Sequence, residues 1–298
     1  MSWLQFEMTL GNLDAGRVEA ALLSAGAHSV TFEDAGNTPI YEPDVSQPPS
    51  WSDTRVTALF PADTDTSAVR AVLFAALKLP HLPPHRITPL AERNWVREWL
   101  KEFKPMRFGK RLWICPTAYA PPDPGAVNIL LDPGLAFGTG THATTALCLE
   151  WLDSTDLAGK TVIDYGCGSG ILAIAAARLG ARRVWAADND PQALAATREN
   201  ARRNQTTPPM EISPPEALAT VQADVLLANI LAGPLMQLAP RFAGLVKPGG
   251  VLVLSGILVA QRKEIQSAYA PWFRFSGGVQ REEWLRMDGL CLPASTEC

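Results

Sequence analysis

Hydrophobic and polar positions alternate along four short segments of the first 90 residues, and two longer segments show helical spacing. One helix is predicted over 14–25, where Val18 and Leu22 share a face, and a second over 65–79. The predicted strands are Trp3–Thr9, Ser29–Glu33, Arg55–Phe60 and Arg86–Leu90. The order βαββαβ predicts a small α+β domain of the ferredoxin-like type over residues 1–88.

From residue 161 onward, short apolar runs typical of buried strands alternate with helical patterns. The predicted strands are Thr161–Asp164, Arg183–Asp188, Asp224–Ala228 and Val251–Ser255. The predicted helices are Ser169–Leu179, Pro191–Arg203 and Leu235–Val246. Two further strands, 273–275 and 284–292, are expected to form an antiparallel hairpin around Gly277 and Gly278. This alternation predicts an α/β domain over 110–298 with a doubly wound, mostly parallel sheet.

A linker is predicted over residues 89–109. Trp95, Trp99 and Phe103 recur at every fourth position on one face of a helix, and charged residues fill the other face. The aromatic stripe would either pack against a domain or remain exposed as a partner site. Pro105 and Gly109 are expected to end the helix and to act as a hinge.

Composition and charge narrow the function classes. Residues 1–85 carry ten acidic and four basic side chains, and they lack an aromatic-glycine RNA-recognition pattern, so nucleic-acid binding is not expected. This domain is predicted either to recognise a basic protein or to serve as a plain packing domain. No apolar run approaches the about 20 residues of a membrane span, and no signal peptide is seen. The five cysteines include no Cys-x-x-Cys pair, which favours the cytoplasm and argues against a metal site.

The most informative segment is a glycine loop after the first strand of the second domain, reading Asp164-Tyr-Gly166-Cys-Gly168-Ser-Gly170. Its spacing is G-x-G-x-G, whereas dinucleotide-binding loops have G-x-G-x-x-G. The carboxylate of Asp164 would repel a pyrophosphate but suits an ammonium group, and Asp188 ends the next strand, where it can bind ribose hydroxyls. These features favour S-adenosylmethionine over NAD, FAD or a purely structural loop. Cys167 is interpreted as a packing residue rather than as a reactive thiol.

Asn229 follows the strand 224–228 and is the candidate catalytic residue. Its side chain could accept a hydrogen bond from a substrate N–H and orient the nitrogen lone pair, or it could simply cap a turn. The sequence Asn-Ile-Leu-Ala lacks the aromatic that many amino-methyltransferases have here, which favours an aliphatic amine.

Upstream, the glycine-rich segment 131–145 could fold over a cofactor, with Phe137 excluding water and a threonine hydroxyl touching the ligand. His142 is expected to cap a helix or pack rather than act as a base.

Three segments carry a resemblance to a known family. Asp132-Pro-Gly-Leu-Ala-Phe-Gly-Thr-Gly-Thr-His142, the glycine loop and Asn229-Ile-Leu-Ala-Gly-Pro-Leu235 together resemble the PrmA family. The segment 95–114 is also similar to that family's connector. PrmA enzymes are bacterial methyltransferases that act on large-subunit ribosomal protein eleven. The resemblance covers essentially the whole chain.

The resemblance implies a class I fold with a seven-stranded sheet and S-adenosylmethionine as cofactor. It implies cofactor contacts at Thr145, Gly166, Asp188 and Asn229, to which the loop argument adds Asp164, Gly168 and Phe137. It further implies trimethylation of lysines and of the N-terminal amine of ribosomal protein eleven, and a substrate-gripping N-terminal domain. No bound metal is expected from the histidine and cysteine spacing. We expect a monomer in the cytoplasm. A methyltransferase of RNA or of a small amine, a non-enzymatic adapter and a dehydrogenase remain as alternatives.

Overall fold

The computed structural model describes residues 3–36, 51, 53–79, 81–90, 103–132, 140–207 and 209–293. The chain divides into two compact units, Met1–Trp95 and Val96–Cys298. Trp95 and Trp99 of the predicted linker helix, and Phe137 of the predicted cofactor segment, lie outside the described residues. No helix in the described part is long and apolar enough to cross a membrane.

The first unit is a four-stranded sheet with two helices on one face. Its strands are β1 (Trp3–Thr9), β2 (Ser29–Asp34), β3 (Thr54–Pro61) and β4 (His85–Leu90), and its helices are α1 (Ala15–Ser24) and α2 (Thr66–Leu77). The strands lie in the order β2-β3-β1-β4 and every neighbouring pair is antiparallel. Phe6 and Met8 of β1 pack with Leu22 and Leu73 of the helices in the core. The six elements follow one another in the predicted order.

The second unit contains a seven-stranded sheet. Its strands are β8 (Thr161–Tyr165), β9 (Arg183–Ala187), β10 (Glu211–Ser213), β11 (Ala223–Asn229), β12 (Val246–Leu258), β13 (Phe273–Arg281) and β14 (Trp284–Cys291). Its helices are α3 (Ala143–Ser154), α4 (Ile171–Arg178), α5 (Pro191–Arg203), α6 (Ala232–Leu245) and α7 (Arg262–Tyr269). The strand order is β10-β9-β8-β11-β12-β14-β13, and β14 runs in the direction opposite to the other six strands. The predicted doubly wound, mostly parallel sheet of seven strands is therefore present.

The C-terminal hairpin forms, but the prediction that it turns at Gly277 and Gly278 is wrong. Strand β13 continues through Gly277 and Gly278, where its register with β14 shifts by a bulge. The chain reverses instead at Glu282, which has a positive φ of 55°. Glycine permits a bulge as readily as a turn, so the Gly-Gly pair alone could not distinguish the two.

A smaller three-stranded sheet precedes the large one in the chain. The residue predicted to be a hinge, Gly109, lies in one of its turns. Its strands are β5 (Met106–Phe108), β6 (Leu112–Cys115) and β7 (Val127–Leu130). Phe103 and Phe108 are buried in the core of the second unit. Gly109 does not end a helix, because it begins the tight turn between β5 and β6. The backbone N–H groups of Lys110 and Arg111 donate to the buried carboxylate of Asp153 at 2.7 and 3.1 Å. The strands of the second unit thus begin before residue 110, with β5, and Gly109 lies in a turn that these hydrogen bonds fix.

This turn gives a stability prediction. Gly109 has a φ of +67°, and a Cβ there would collide with the carboxylate of Asp153. We expect Gly109→Ala to lower the free energy of unfolding by about 2–4 kcal/mol, from backbone strain and overpacking together. Gly159→Ala is the matched control, since Gly159 also has a positive φ of 73° but nothing within 4 Å of a Cβ. Urea denaturation of both variants measures the difference, and equal losses would show that the contact with Asp153 adds nothing.

Candidate functional site

The ligand crevice of a doubly wound sheet lies where neighbouring strands connect to opposite sides. Here that point lies between β8 and β11, which pair in parallel with Tyr165 opposite Ala228. The chain leaves β8 through the glycine loop into α4, and it leaves β11 through Asn229 into α6. The two segments that the sequence singled out therefore emerge side by side at the carboxyl edge of the sheet.

The glycine loop has the backbone conformation that only glycine adopts without strain. Gly166, Gly168 and Gly170 have φ values of +78°, +54° and +80°. A Cβ at Gly166 would collide with Ile230, and a Cβ at Gly170 would lie 2.7 Å from Cγ2 of Thr197. The backbone N–H of Gly166 donates to the carbonyl of Ala187 at 2.7 Å, which ties the loop to the end of β9. The predicted positive-φ loop is confirmed.

Asp164 lies beneath this loop and is almost fully buried. Its Oδ2 accepts a hydrogen bond from the N–H of Ala173 in α4 at 2.9 Å. Its Oδ1 is buried and has no hydrogen-bond partner in the described structure. Burial raises the pKa of Asp164 to about 7, with a further small increase from the charge of Asp188, although the Ala173 N–H acts against it. An unpaired buried carboxylate oxygen is costly, and a ligand ammonium group would satisfy it.

The raised pKa of Asp164 predicts a pH-dependent affinity for cationic ligands. A bound cation favours the carboxylate, so below pH about 7 binding must expel a proton from Asp164. We therefore expect affinity for S-adenosylmethionine to fall as the pH decreases below about 7, by at most about tenfold per pH unit. Calorimetry between about pH 5.5 and 8.5 measures this slope. Asp164→Asn should bind more weakly and lose the slope, whereas a flat profile in the unaltered protein would contradict the assignment.

Asp188 follows β9 at the same edge and is half-buried. Its Oδ2 accepts from the N–H of Gly168 at 2.9 Å, and its Oδ1 accepts from the N–H of Asp190 at 3.0 Å. Each carboxylate oxygen has a second lone pair and can accept another hydrogen bond. The side chain is thus held beside the loop, at the strand end where acidic residues bind ribose hydroxyls in such sheets.

Cys167 packs within the loop as the sequence analysis expected. Its side chain is buried, and Sγ lies 3.4 Å from Oγ1 of Thr197. Burial, followed by the nearby charge of Asp164, raises the pKa of the thiol to about 12. The thiol is therefore protonated at neutral pH, as expected of a buried packing residue.

Asn229 and Thr145 meet although they are 84 positions apart. Nδ2 of Asn229 donates to Oγ1 of Thr145 at 3.2 Å. Thr145 is buried in the first turn of α3. Since this bond engages the amide nitrogen, Oδ1 is the atom that the side chain can offer to an N–H donor. The structure thus gives Asn229 a specific orientation beyond a simple turn cap.

Two glycines confine the residue after Asn229. A Cβ at Gly166 would collide with the side chain of Ile230, and a Cβ at Gly256 would collide with its backbone carbonyl. Gly256 lies in β12, where the pairing with β14 shifts in register. Ile230 is therefore held between the glycine loop and β12, and this fixes the backbone on which Asn229 stands. Sequence analysis missed Gly256, since a single glycine in a strand has several explanations.

The segment before α3 is described from residue 140 onward. His142 is the N-cap of α3: its Nδ1 lies 2.8 Å from Oγ1 of Thr144, and its ring packs edge-on against Trp284. The expected capping and packing roles of His142 are therefore present. The placement of Phe137 over a ligand stays a prediction.

Two polar residues of α5 hold the loop and were not anticipated. Oγ1 of Thr197 donates to the carbonyl of Gly168 at 2.9 Å, and Nδ2 of Asn200 donates to the carbonyl of Ser169 at 2.8 Å. Thr197 is completely buried. The available signal was a threonine on the apolar face of α5, beside Leu194 and Ala201, but its partner could not be read from the sequence.

The arrangement suits a nucleoside that carries a cationic amino-acid tail. The loop exposes backbone rather than side chains at its three glycines, Asp164 offers an unpaired buried oxygen, and Asp188 offers acceptors for hydroxyls. These groups fit S-adenosylmethionine, with Asn229 placed to receive an amine. Among the described residues, no group of three His, Cys, Asp or Glu side chains could hold a metal ion.

Comparison with known proteins agrees with this geometry. Residues 2–290 match the family profile described as ribosomal protein L11 methyltransferase (PrmA). Proteins named ribosomal protein L11 methyltransferase are 55% identical over 290 residues in Pseudomonas paraeruginosa, and 53% identical over 293 residues in Azotobacter vinelandii. Each alignment covers 97% of this chain, with 98% and 99% of the respective relative.

A solved structure extends the comparison to three dimensions. The crystal structure of ribosomal protein L11 methylase from Lactobacillus delbrueckii subsp. bulgaricus is 31% identical and superposes with a TM-score of 0.57. The match covers 64% of this chain and all of that one. With a family match over nearly its whole length, the chain belongs to the PrmA family of ribosomal protein L11 methyltransferases.

Proposed function

We propose that this protein transfers methyl groups from S-adenosylmethionine to amino groups of large-subunit ribosomal protein eleven. Family membership supports the reaction and the substrate protein. The observation that carries the choice of an amine is the oriented amide of Asn229, whose Oδ1 can accept from an N–H at the edge of the crevice. Lysine side chains, the N-terminal amine and trimethylation are part of the proposal. We further propose that the enzyme is a cytoplasmic monomer that binds no nucleic acid directly.

The cofactor, when bound, supplies an electrophilic methyl group on a positively charged sulfur. Asp164 and Asp188 would hold its amino-acid tail and ribose, and the glycine loop would let the backbone approach it closely. Thr145 orients Asn229, and Oδ1 of Asn229 would accept a hydrogen bond from the incoming amine and so fix the direction of the nitrogen lone pair. The amine must arrive neutral, and partial desolvation in the crevice lowers its pKa toward that state. The chain thus contributes alignment and exclusion of water rather than a dedicated base.

The residue types after Asn229 support an aliphatic acceptor. Ala232 stands where other amino-methyltransferases carry an aromatic ring, and it is fully buried. Leu231 beside it is 46% exposed. No aromatic face from this turn is available for stacking on a planar base, whereas an apolar wall suits the methylene chain of a lysine.

The N-terminal unit is proposed to recognise the protein substrate, as a ferredoxin-like domain with an open sheet face. Its strand order and pairing support that classification. Opposite the helices, Trp3 pairs with Pro61 and with Leu90 at one end of the sheet, and Leu59 lies on the same face two positions before Pro61. All four are half-buried, so part of this apolar cluster stays accessible. A cluster of this kind, rimmed by polar residues, is typical of protein contact surfaces.

A negative charge introduced on the open face of this sheet tests whether the face binds the protein substrate. We expect Leu59→Glu to raise KM for ribosomal protein eleven about tenfold or more, because it places a carboxylate in a desolvated contact. Affinity for S-adenosylmethionine should be unchanged, since the cofactor residues lie in the other unit. Steady-state kinetics with the protein substrate and calorimetry with the cofactor measure the two effects. An unchanged KM would remove this face from substrate binding.

Mass spectrometry tests the proposed reaction itself. Purified ribosomal protein eleven, incubated with enzyme and cofactor, should gain mass in steps of one methylene group. A substrate with its lysines changed to arginine and its N-terminus acetylated should gain none. Transfer of labelled methyl groups to ribosomal RNA, or to the blocked protein, would contradict the proposal and favour the alternatives.

A further inference from the structure

Thr197 contacts the glycine loop at three positions. Its Oγ1 donates to the carbonyl of Gly168 at 2.9 Å and lies 3.4 Å from Sγ of Cys167. Its Cγ2 fills the space beside Gly170, where an added Cβ would approach to 2.7 Å. The residue is completely buried on α5, a helix that otherwise presents many exposed side chains. A threonine here therefore satisfies one loop carbonyl with its hydroxyl and packs against the loop with its methyl.

The glycine loop requires such stabilising contacts because of its composition. Three of its residues are glycines, whose backbone has the largest conformational freedom of any residue type. Gly168 is the central one, and its two peptide groups are both held: the N–H by Asp188 and the carbonyl by Thr197. Since a peptide unit is planar, fixing the carbonyl of Gly168 also fixes the direction of the N–H that follows it.

We propose that Thr197 is a positioning residue for the cofactor, holding the glycine loop in its binding conformation through the hydroxyl bond to Gly168. It touches no cofactor atom in this account and acts through the loop. Asn200, one helical turn further on, holds the next carbonyl in the same way. The inference rests on the proposed assignment of the loop and Asp188 to the cofactor.

A pair of conservative variants separates the hydroxyl from the methyl. Thr197→Val keeps the branched shape and the helix propensity but leaves the carbonyl of Gly168 without its donor. We expect its affinity for S-adenosylmethionine and S-adenosylhomocysteine to weaken about tenfold, while kcat at saturating cofactor changes less than twofold. Thr197→Ser retains the donor and should weaken binding only about twofold. Calorimetry on the full-length folded protein measures the affinities.

Thr155→Val controls for a general loss of stability. Thr155 donates its hydroxyl to the carbonyl of Trp151 at 2.7 Å, at the far end of α3. This variant also removes a threonine hydroxyl from a backbone carbonyl, but away from the glycine loop, and it should keep its cofactor affinity. If Thr197→Val is destabilised but binds as the unaltered protein does, Thr197 is merely structural and the inference fails. Equal weakening by Thr197→Val and Thr197→Ser would also overturn it, because the hydroxyl would then not matter.

A further arm distinguishes failure of the inference from failure of the proposed site. If Asp188→Ala weakens cofactor affinity strongly while Thr197→Val leaves it intact, only the role of Thr197 is refuted. If neither substitution changes affinity, the cofactor does not lie at this loop, and the proposed site fails with the inference.

Discussion

Asn229→Ala is expected to lower kcat about a hundredfold, the scale set by loss of one oriented hydrogen bond in a reacting site. The affinity for S-adenosylmethionine should change by less than about threefold, because Asp164 and Asp188 remain. The reason is geometric: Thr145 fixes the amide nitrogen at 3.2 Å, and Gly166 and Gly256 confine Ile230, so Oδ1 meets the amine in one orientation. Removing the side chain removes that alignment and little else.

Single-turnover measurements at saturating cofactor test the turnover of this variant, since they isolate the transfer step. Asn128→Ala is the matched control: it deletes an amide that makes two backbone hydrogen bonds near β7, at 2.8 and 3.0 Å. Its rate should stay close to that of the unaltered enzyme. An unchanged transfer rate in Asn229→Ala would remove Asn229 from the catalytic role and leave it as a turn residue.

Asp188→Ala is expected to weaken the affinity for S-adenosylmethionine by about a hundredfold or more. The substitution removes charged acceptors for two ribose hydroxyls, each worth about 1.5–3 kcal/mol when bonded to a charged group. It also releases the N–H of Gly168, which Asp188 holds at 2.9 Å. Loss of binding should dominate, and the rate at saturating cofactor should fall far less than for Asn229→Ala.

Calorimetry with Asp190→Ala as a control isolates this effect. Asp190 is an exposed carboxylate two residues further along, and it caps α5 by accepting from the N–H of Gln192 at 2.8 Å. Its removal should cost about 1 kcal/mol of stability and leave cofactor affinity within about threefold. Should Asp188→Ala bind as tightly as Asp190→Ala, the ribose assignment would be wrong.

The sheet and much of the site could be predicted because their signals are local. A buried strand followed by glycines and a helix indicates the loop through backbone sterics alone, and the φ values of Gly166, Gly168 and Gly170 agree with it. Asp188 and Asn229 follow from the rule that ligands lie at the carboxyl ends of parallel strands. In each case the pattern and the function occupy the same short segment.

What could not be predicted depends on contacts between distant segments. Thr197 meets Gly168 across 29 positions, and Asp153 meets Lys110 across 43. The second contact fixes the turn that contains Gly109, where the sequence predicts a hinge. The sequence predicts a turn at Gly277 and Gly278, where the structure has a bulge. The pairing of β13 with β14 on both sides of this bulge is a property of the assembled sheet.

The electrostatics of Asp164 also required the structure. Its sequence position suggested a partner for an ammonium group, but only the fold shows that Oδ2 is occupied by Ala173 and that Oδ1 is left unpaired and buried. This asymmetry leaves one carboxylate oxygen that a ligand cation would satisfy, while the other holds the first turn of α4. It also accounts for the raised pKa, since burial without a cation favours the protonated form.

A crystal structure of this protein with S-adenosylhomocysteine tests the central claim most directly. The account predicts that the ligand ammonium lies within hydrogen-bond distance of Oδ1 of Asp164, with the ribose hydroxyls on Asp188 and the sulfur facing Oδ1 of Asn229. A ligand bound elsewhere, or a loop whose own backbone occupies Oδ1 of Asp164, would contradict it.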